Sequence, residues 1–282
     1  MNILVLTDFS NDAYNALFYA TQLYREKECS FHIMHVYDRH SHLKKEYAVY
    51  QGDKSLRQFL SDRTDECLKQ TMHRIISDTE NNPLHKFTTL KIYDAFTKGV
   101  RTYSKNNPVD LLVMGNKGRT GAKEIFFGGN TIQIVKSKIS CPMLCVPKEI
   151  DFTPISHLLY ITDYKHTLAS EAVWLIKSLA ESNKATLHLL HVGEEDKETA
   201  AQKENRASLT SFFSGINLEF HDIARSKSKA KTIANYVEAH QIDLLAMSYY
   251  PHYLLTKLFR EPVVMDLSIY LEKPLLILPG LE

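Results

Sequence analysis

Four short blocks of this 282-residue chain occur twice in the same order, and that repetition limits the fold more than any other feature. Ile3-Leu4-Val5-Leu6-Thr7-Asp8-Phe9-Ser10 returns as Leu158-Leu159-Tyr160-Ile161-Thr162-Asp163-Tyr164-Lys165, and Phe31-His32-Ile33-Met34-His35-Val36 returns as Leu187-His188-Leu189-Leu190-His191-Val192. Val109-Asp110-Leu111-Leu112-Val113-Met114 is matched by Ile242-Asp243-Leu244-Leu245-Ala246-Met247. Cys141-Pro142-Met143-Leu144-Cys145-Val146-Pro147 is matched by Lys273-Pro274-Leu275-Leu276-Ile277-Leu278-Pro279. A tandem duplication follows, with repeats at 1–148 and 149–282 and a boundary near Lys148-Glu149. The offset between copies falls from about 155 residues at the first two blocks to 133 and 132 at the last two. The first repeat therefore carries extra length between its second and third strands, in the stretch from Tyr37 to Phe87.

Within each repeat, short runs rich in Ile, Leu and Val alternate with longer stretches of helical period, the pattern of a parallel sheet wrapped by helices. In the first repeat the runs predict strands at about 2–7, 31–36, 87–91, 110–114 and 143–146. Between them Ala13, Leu17, Ala20 and Leu23 keep a helical face, as do Leu56, Phe59, Leu60, Cys67, Leu68, Ile75 and Ile76, and then Ala95, Phe96, Val100 and Tyr103. Ser10 and Asp94 stand where helix N-caps belong. The fold class is α/β: two tandem copies of a five-stranded parallel sheet flanked by helices, Rossmann-like. The apolar edges Met143 to Val146 and Leu275 to Leu278 would template aggregation if left open, so the two copies are expected to pack through them with a pseudo-twofold, leaving room for a homodimer beyond.

Lys plus Arg (34) and Asp plus Glu (33) nearly cancel, which leaves no global basic field for nucleic acid or anionic lipid. No apolar run approaches the roughly 18 residues of a membrane span. The start, MNILVLTDFSNDAYN, has no basic region before its apolar run and carries an aspartate within it, unlike a secretory signal, so the expected location is the cytoplasm. Four cysteines, two isolated and two spaced C-x3-C in an apolar segment, show no disulfide framework or zinc pattern.

Ligands of open α/β sheets sit beyond the carboxyl ends of strands, where strand order reverses. The residues to question are therefore Thr7, Asp8, Phe9 and Ser10 after strand one, Val36, Tyr37 and Asp38 after strand two, and Gly115-Asn116-Lys117-Gly118 after strand four. The chain has only 10 glycines, yet Gly115, Gly118, Gly121, Gly128 and Gly129 fall within fifteen residues. A loop whose backbone N–H groups wrap a phosphate chain needs positive φ angles and close backbone approach, both of which Gly allows. If a helix runs from about Asn130 to Lys138, then Gly128, Gly129, Asn130 and Thr131 lie at its amino end, where free N–H groups and the dipole favour an anion. Lys117, Arg119 and Lys123 add positive charge nearby. The spacing is neither the dinucleotide G-x-G-x-x-G nor the P-loop.

Here the chain resembles the universal stress proteins, whose nucleotide-binding members carry G-x2-G-x9-G-[ST] after the fourth strand. Gly115-x2-Gly118-x9-Gly128 matches, with Gly129 where Ser or Thr is usual. Thr7-Asp8-Phe9-Ser10, His35-Val36 and Cys141 to Pro147 match the family's other motifs, so the likeness spans the whole first repeat. The resemblance implies a stress-response or signalling module that binds ATP or a related adenine nucleotide, with or without Mg²⁺. It places Asp8 near adenine and ribose, Val36 in the adenine pocket, and Gly115, Gly118, Gly128, Gly129 and Asn130 around the phosphates. Thr7 and Met114 at the strand ends complete the site, and Thr131 offers a hydroxyl in place of the one Gly129 lacks.

The second repeat departs from this pattern. Its equivalent stretch, Ser248 to Pro262, has no glycine and places Glu261 near the position of Gly128. Residues 1–148 hold 21 Lys and Arg against 15 Asp and Glu, while residues 149–282 hold 13 against 18, so the basic half is the half with the glycine loop. One nucleotide site per chain is expected, in the first repeat. His32-x2-His35 and His188-x2-His191 look like metal pairs, but strand residues three apart face opposite ways and cannot share an ion, so no metal site is expected. His40 and His42 with Asp38, and the run Glu194 to Glu198, read as solvated loops. Tyr249, Tyr250, His252 and Tyr253 read either as the lining of a different ligand pocket or as aromatic filling of a lost site. No nucleophile with its base and no paired-carboxylate motif can be read off the chain, so binding is better supported than turnover. The rival readings are a nucleotide-independent interaction module and a slow ATP hydrolase.

Overall fold

The computed structural model describes residues 1–41, 43–116, 129–137, 139–148, 150–165, 170–193, 198–223, 229–249 and 273–279. These form two compact units, one on residues 1–116 and 129–141 and the other from Pro142 onward.

The first unit runs β1 (Asn2–Leu6), α1 (Asn11–Leu23), β2 (Cys29–Tyr37), α2 (Lys44–Tyr47), α3 (Leu56–Asp78), β3 (His85–Tyr93), α4 (Phe96–Asn106), β4 (Leu111–Asn116) and α5 (Gly129–Lys136). Its strands lie in the order β3-β2-β1-β4, and its β1–β2, β1–β4 and β2–β3 pairings are all parallel. Ile3, Leu4 and Val5 of β1 and Leu112 and Val113 of β4 are fully buried, as expected of central parallel strands covered on both faces. α1 turns Ala13, Ala16, Leu17, Ala20 and Leu23 to the core. Ser10 is its N-cap, with extended backbone and a hydroxyl that accepts from the Ala13 N–H at 3.3 Å.

Asp94, predicted as the cap of α4, falls one residue short. The cap is Ala95, without a side-chain hydrogen bond, because the Asp94 carboxylate accepts from the Ala95 N–H at 2.8 Å and pairs with Lys98. The extra length of the first repeat becomes α2 and a 23-residue α3, against 13 residues in its later counterpart. Leu43 from this insertion joins Tyr37 and Leu60 in a small core, with Phe9, Leu56 and Phe59 packed against it.

The second unit runs β5 (Met143–Pro147), β6 (His157–Thr162), α6 (Ser170–Asn183), β7 (Thr186–Val192), α7 (Ala200–Phe212), β8 (Leu218–Ile223), α8 (Lys229–Ala239), β9 (Leu244–Tyr249) and β10 (Leu275–Pro279). Its strand order is β5-β10-β9-β6-β7-β8. The pairings β10–β9, β9–β6, β6–β7 and β7–β8 are parallel, while β5 and β10 pair antiparallel, Leu275 with Cys145, Leu276 with Leu144 and Ile277 with Met143. The two apolar edges singled out by sequence thus cover each other.

β8-β7-β6-β9 repeats the order of β3-β2-β1-β4. The repeated aspartates explain part of the match. Asp110 accepts from the Asn2 N–H at 2.6 Å, and Asp243 accepts from the Ser156 and His157 N–H groups at 2.8 and 3.0 Å, each tying down the start of a central strand. Among the described residues no helix is long and apolar enough to cross a membrane.

Candidate functional site at the strand ends

In the first unit the order reverses between β1 and β4, so a crevice opens at the carboxyl ends of these two strands. The Thr7 N–H extends the ladder to the Met34 carbonyl at 2.9 Å, and its side-chain oxygen accepts from the Phe9 N–H at 2.9 Å. The Thr7 carbonyl accepts from His35 Nδ1 at 2.7 Å, which fixes that ring's tautomer. Phe9 takes a left-handed φ of 65°, uncommon for an aromatic residue, and its ring lies 4.4 Å from that of His35. The sharp turn leaves Asp8 exposed at the rim, where its Oδ1 accepts from the Ser10 N–H at 3.0 Å.

Gly115 closes the other side. Its φ is not left-handed, so the positive-φ expectation does not hold there. Its lack of a side chain matters for a different reason: a Cβ would lie 2.7 Å from the Asp12 carbonyl oxygen, in the first turn of α1. Met114 just before it is buried. Val36 sits half-buried at the end of β2, where a Cβ on Gly99 of α4 would meet its Cγ1 at 2.9 Å. Its side chain therefore lies on the α4 side of the sheet.

α5 stands beside the start of α4, where the Thr97 hydroxyl donates to the Gln133 Oε1 at 3.2 Å. Gly129 and Asn130 in its first turn are exposed, and a Cβ on Gly129 would meet nothing within 4 Å. First-turn N–H groups have no intrahelical acceptor and sit at the positive end of the dipole, so this end suits a phosphate. Thr131 is 1 % exposed, so its hydroxyl is not at the surface to stand in for the one Gly129 lacks. Gly118 and Gly128, with Lys117, Arg119 and Lys123, lie outside the described residues.

The second unit repeats the turn. The Tyr164 N–H donates to the Thr162 hydroxyl at 3.0 Å, the Lys165 N–H to Asp163 Oδ1 at 3.1 Å, and Tyr164 has a φ of 55°. What surrounds the turn differs. Ser248 takes the place of Gly115 in register, buried and 2.9 Å from the Tyr160 hydroxyl. Arg206 holds Asp222 at 2.7 Å and Glu198 at 3.3 Å, while His191 Nδ1 lies 3.0 Å from Asp222. Gln202 and Asn205 donate to the carbonyls of Asp163 and Tyr164, each at 2.8 Å. The stretches around Glu194 and Tyr250 lie outside the described residues, as does His42.

The histidine pairs do face opposite ways, but each member of the second pair meets partners on neighbouring strands. His188 lies beside Glu219 and His221, and His191 beside Glu198 and Asp222, two groups whose ligand atoms are within 4.8 Å of one another. Sequence spacing missed both groups, because they depend on the β7–β8 register.

A family model described as the universal stress protein family matches residues 1–147. No curated protein matches the chain. Among solved structures, a universal stress protein from Archaeoglobus fulgidus aligns with a TM-score of 0.71 at 15 % identity, over 99 % of this chain and 96 % of its own. A Pseudomonas aeruginosa protein provisionally named a universal stress protein aligns at 0.57 and 13 %, over 99 % and 93 %. The cytoplasmic domain of a prokaryotic cation chloride cotransporter aligns at 0.52 and 11 %, over 100 % and 95 %. At these identities the structures establish a shared fold over nearly the whole chain.

Proposed function

The chain belongs to the universal stress protein family, and on that premise we propose that its first repeat, residues 1–148, binds ATP or a related adenine nucleotide and that the protein acts as a stress-response and signalling module. The observation that carries this is the contrast between the two strand-end crevices. In the first unit Thr7, Asp8 and Gly115 meet at the order reversal, and the amino end of α5 offers Gly129 and Asn130. In the second, Ser248, buried and 2.9 Å from the Tyr160 hydroxyl, stands where the first has Gly115.

In this reading the exposed Asp8 carboxylate accepts hydrogen bonds from the nucleoside, and Val36 packs against the base. The N–H groups of Gly129 and Asn130 hold phosphate oxygens, with Mg²⁺ as the polyphosphate's counterion. Gly129 lacks the hydroxyl usual in nucleotide-binding relatives, and this favours a second reading, a nucleotide-independent interaction module.

Gly129→Glu separates the two. A carboxylate at the helix amino end repels phosphate, and the open space around Gly129 lets the side chain fit without strain. The expected result is ATP affinity at least about tenfold weaker, roughly 1.4 kcal/mol, with the ligand-free melting temperature unchanged. Wild-type protein that takes up no ATP at millimolar concentration would favour the interaction module.

A further inference from the structure

The second unit carries a cluster of imidazoles that the strand-end site does not use. In register, His188 of β7 stands opposite Glu219 of β8, and His221 two residues on points the same way. Leu159 of β6 pairs with His188, so His157, two residues before it, shares that face as well. α8 covers the group with Tyr236, and His240 just beyond it stacks on the Tyr236 ring at 4.0 Å. The His240 ring lies 5.7 Å from that of His188 and 5.1 Å from that of His221.

One Glu219 oxygen, Oε2, lies 3.4 Å from His188 Nδ1 and 3.2 Å from His221 Nε2. Ligands about 2.0–2.1 Å from a tetrahedral zinc ion stand about 3.3 Å apart, so these separations already match adjacent corners of such a site. The remaining nitrogen of His188, Nε2, is 3.0 Å from His157 Nδ1. A ligating imidazole commonly donates its other N–H to a neighbour in this way; the His188 Nδ1 lone pair then accepts from the Tyr236 hydroxyl at 2.9 Å, a bond that an ion bound at Nδ1 replaces. His188 is 2 % exposed, while Glu219 and His221 are more open and provide a route in from solvent.

The first repeat supplies an internal comparison. The same six positions there hold Asn2, His32, Thr88, Leu90, Tyr103 and Asn107, matched by strand register and helix alignment. The His and Tyr are common to both copies, and His32 is satisfied by the Thr88 hydroxyl at 2.8 Å. The second copy alone adds His157, Glu219, His221 and His240.

We propose that the second repeat binds one divalent transition-metal ion, Zn²⁺, through His188, Glu219 and His221 on the face of the sheet beneath α8. Two imidazoles and one carboxylate are donors suited to zinc, whereas Mg²⁺ and Ca²⁺ require oxygen ligands throughout. The proposal is independent of nucleotide binding in the first repeat.

The test uses the full-length chain, stripped with a chelator and titrated with Zn²⁺ against a chromogenic competitor, with Co²⁺ absorption as the reporter of tetrahedral coordination. The expected result is one saturable ion per chain and visible Co²⁺ bands displaced by Zn²⁺. Glu219→Gln, nearly isosteric and half exposed, weakens binding by at least about tenfold, the lower end of what even an outer partner contributes. Glu219→Thr with His221→Leu, which installs the first repeat's residues, abolishes the Co²⁺ bands. His32→Ala changes neither. Wild-type protein without saturable uptake at micromolar Zn²⁺ overturns the proposal, and so does unchanged affinity in both Glu219 variants.

Discussion

Replacing Gly115 by alanine tests why a glycine stands at the end of β4. The added Cβ would lie 2.7 Å from the Asp12 carbonyl oxygen, 2.9 Å from its carbonyl carbon and 3.2 Å from the Ala13 nitrogen. All three are backbone atoms in the first turn of α1, so no side chain can swing aside. Ordinary contact begins near 3.4 Å, and the strand end and helix must separate by roughly 0.7 Å to admit the methyl group. Overpacking of this kind costs about 1–3 kcal/mol. For a unit of this size, at about 4 °C per kcal/mol, the melting temperature should fall by about 4–12 °C. Because Ser10, Asp8 and α1 move together, ATP affinity should fall as well. Gly129→Ala is the control: with nothing near its Cβ, it should leave stability unchanged or raise it by up to about 1 kcal/mol. Thermal melts followed by circular dichroism decide the matter. A Gly115→Ala protein that melts within about 1 °C of wild type would refute the close-approach argument.

Two further outcomes follow from buried titratable groups. Burial pushes the thiol of Cys29 up to about 11, that of Cys141 up to about 12, and those of Cys67 and Cys145 upward too, so thiolate is scarce at pH 8. The four free cysteines should react slowly with a disulfide reagent in the native state and all together on denaturation, and a fast native thiol would contradict this. Burial also lowers the pKa of His85, whose Nε2 bonds the Tyr24 carbonyl at 3.0 Å. Below the ordinary imidazole pKa, about 6.5, the unfolded chain takes up a proton that the folded one does not, so stability is full above that pH and falls with acidification. His85→Leu should flatten part of that slope in denaturant titrations between pH 7 and 5, and an identical slope would contradict the assignment.

Much of the fold was legible because continuous apolar runs and helical stripes follow directly from burial. The five strands of the first repeat begin and end within about two residues of their predicted places. Ser10 was readable as a cap since its hydroxyl needs only a local N–H, whereas Asp94 was misplaced because its carboxylate chose the adjacent N–H over the helix. At Gly115 the expected positive φ is absent while close backbone approach is present, against α1: composition marks a glycine but does not distinguish a φ requirement from a neighbouring backbone. The histidines were least legible. His188 and His191 were correctly separated by strand alternation, but their partners Glu219, His221 and Asp222 come from a strand about thirty residues away, and only the β7–β8 register brings them together.

The central claim is one adenine-nucleotide site per chain, in the first repeat, and the most direct measurement is native mass spectrometry of nucleotide-stripped full-length protein with ATP and Mg²⁺. The account predicts a single bound nucleotide at saturation, reached only at about tenfold or more higher ATP in Gly129→Glu and at the wild-type concentration in Glu219→Gln. Two nucleotides per chain, or none, would contradict it.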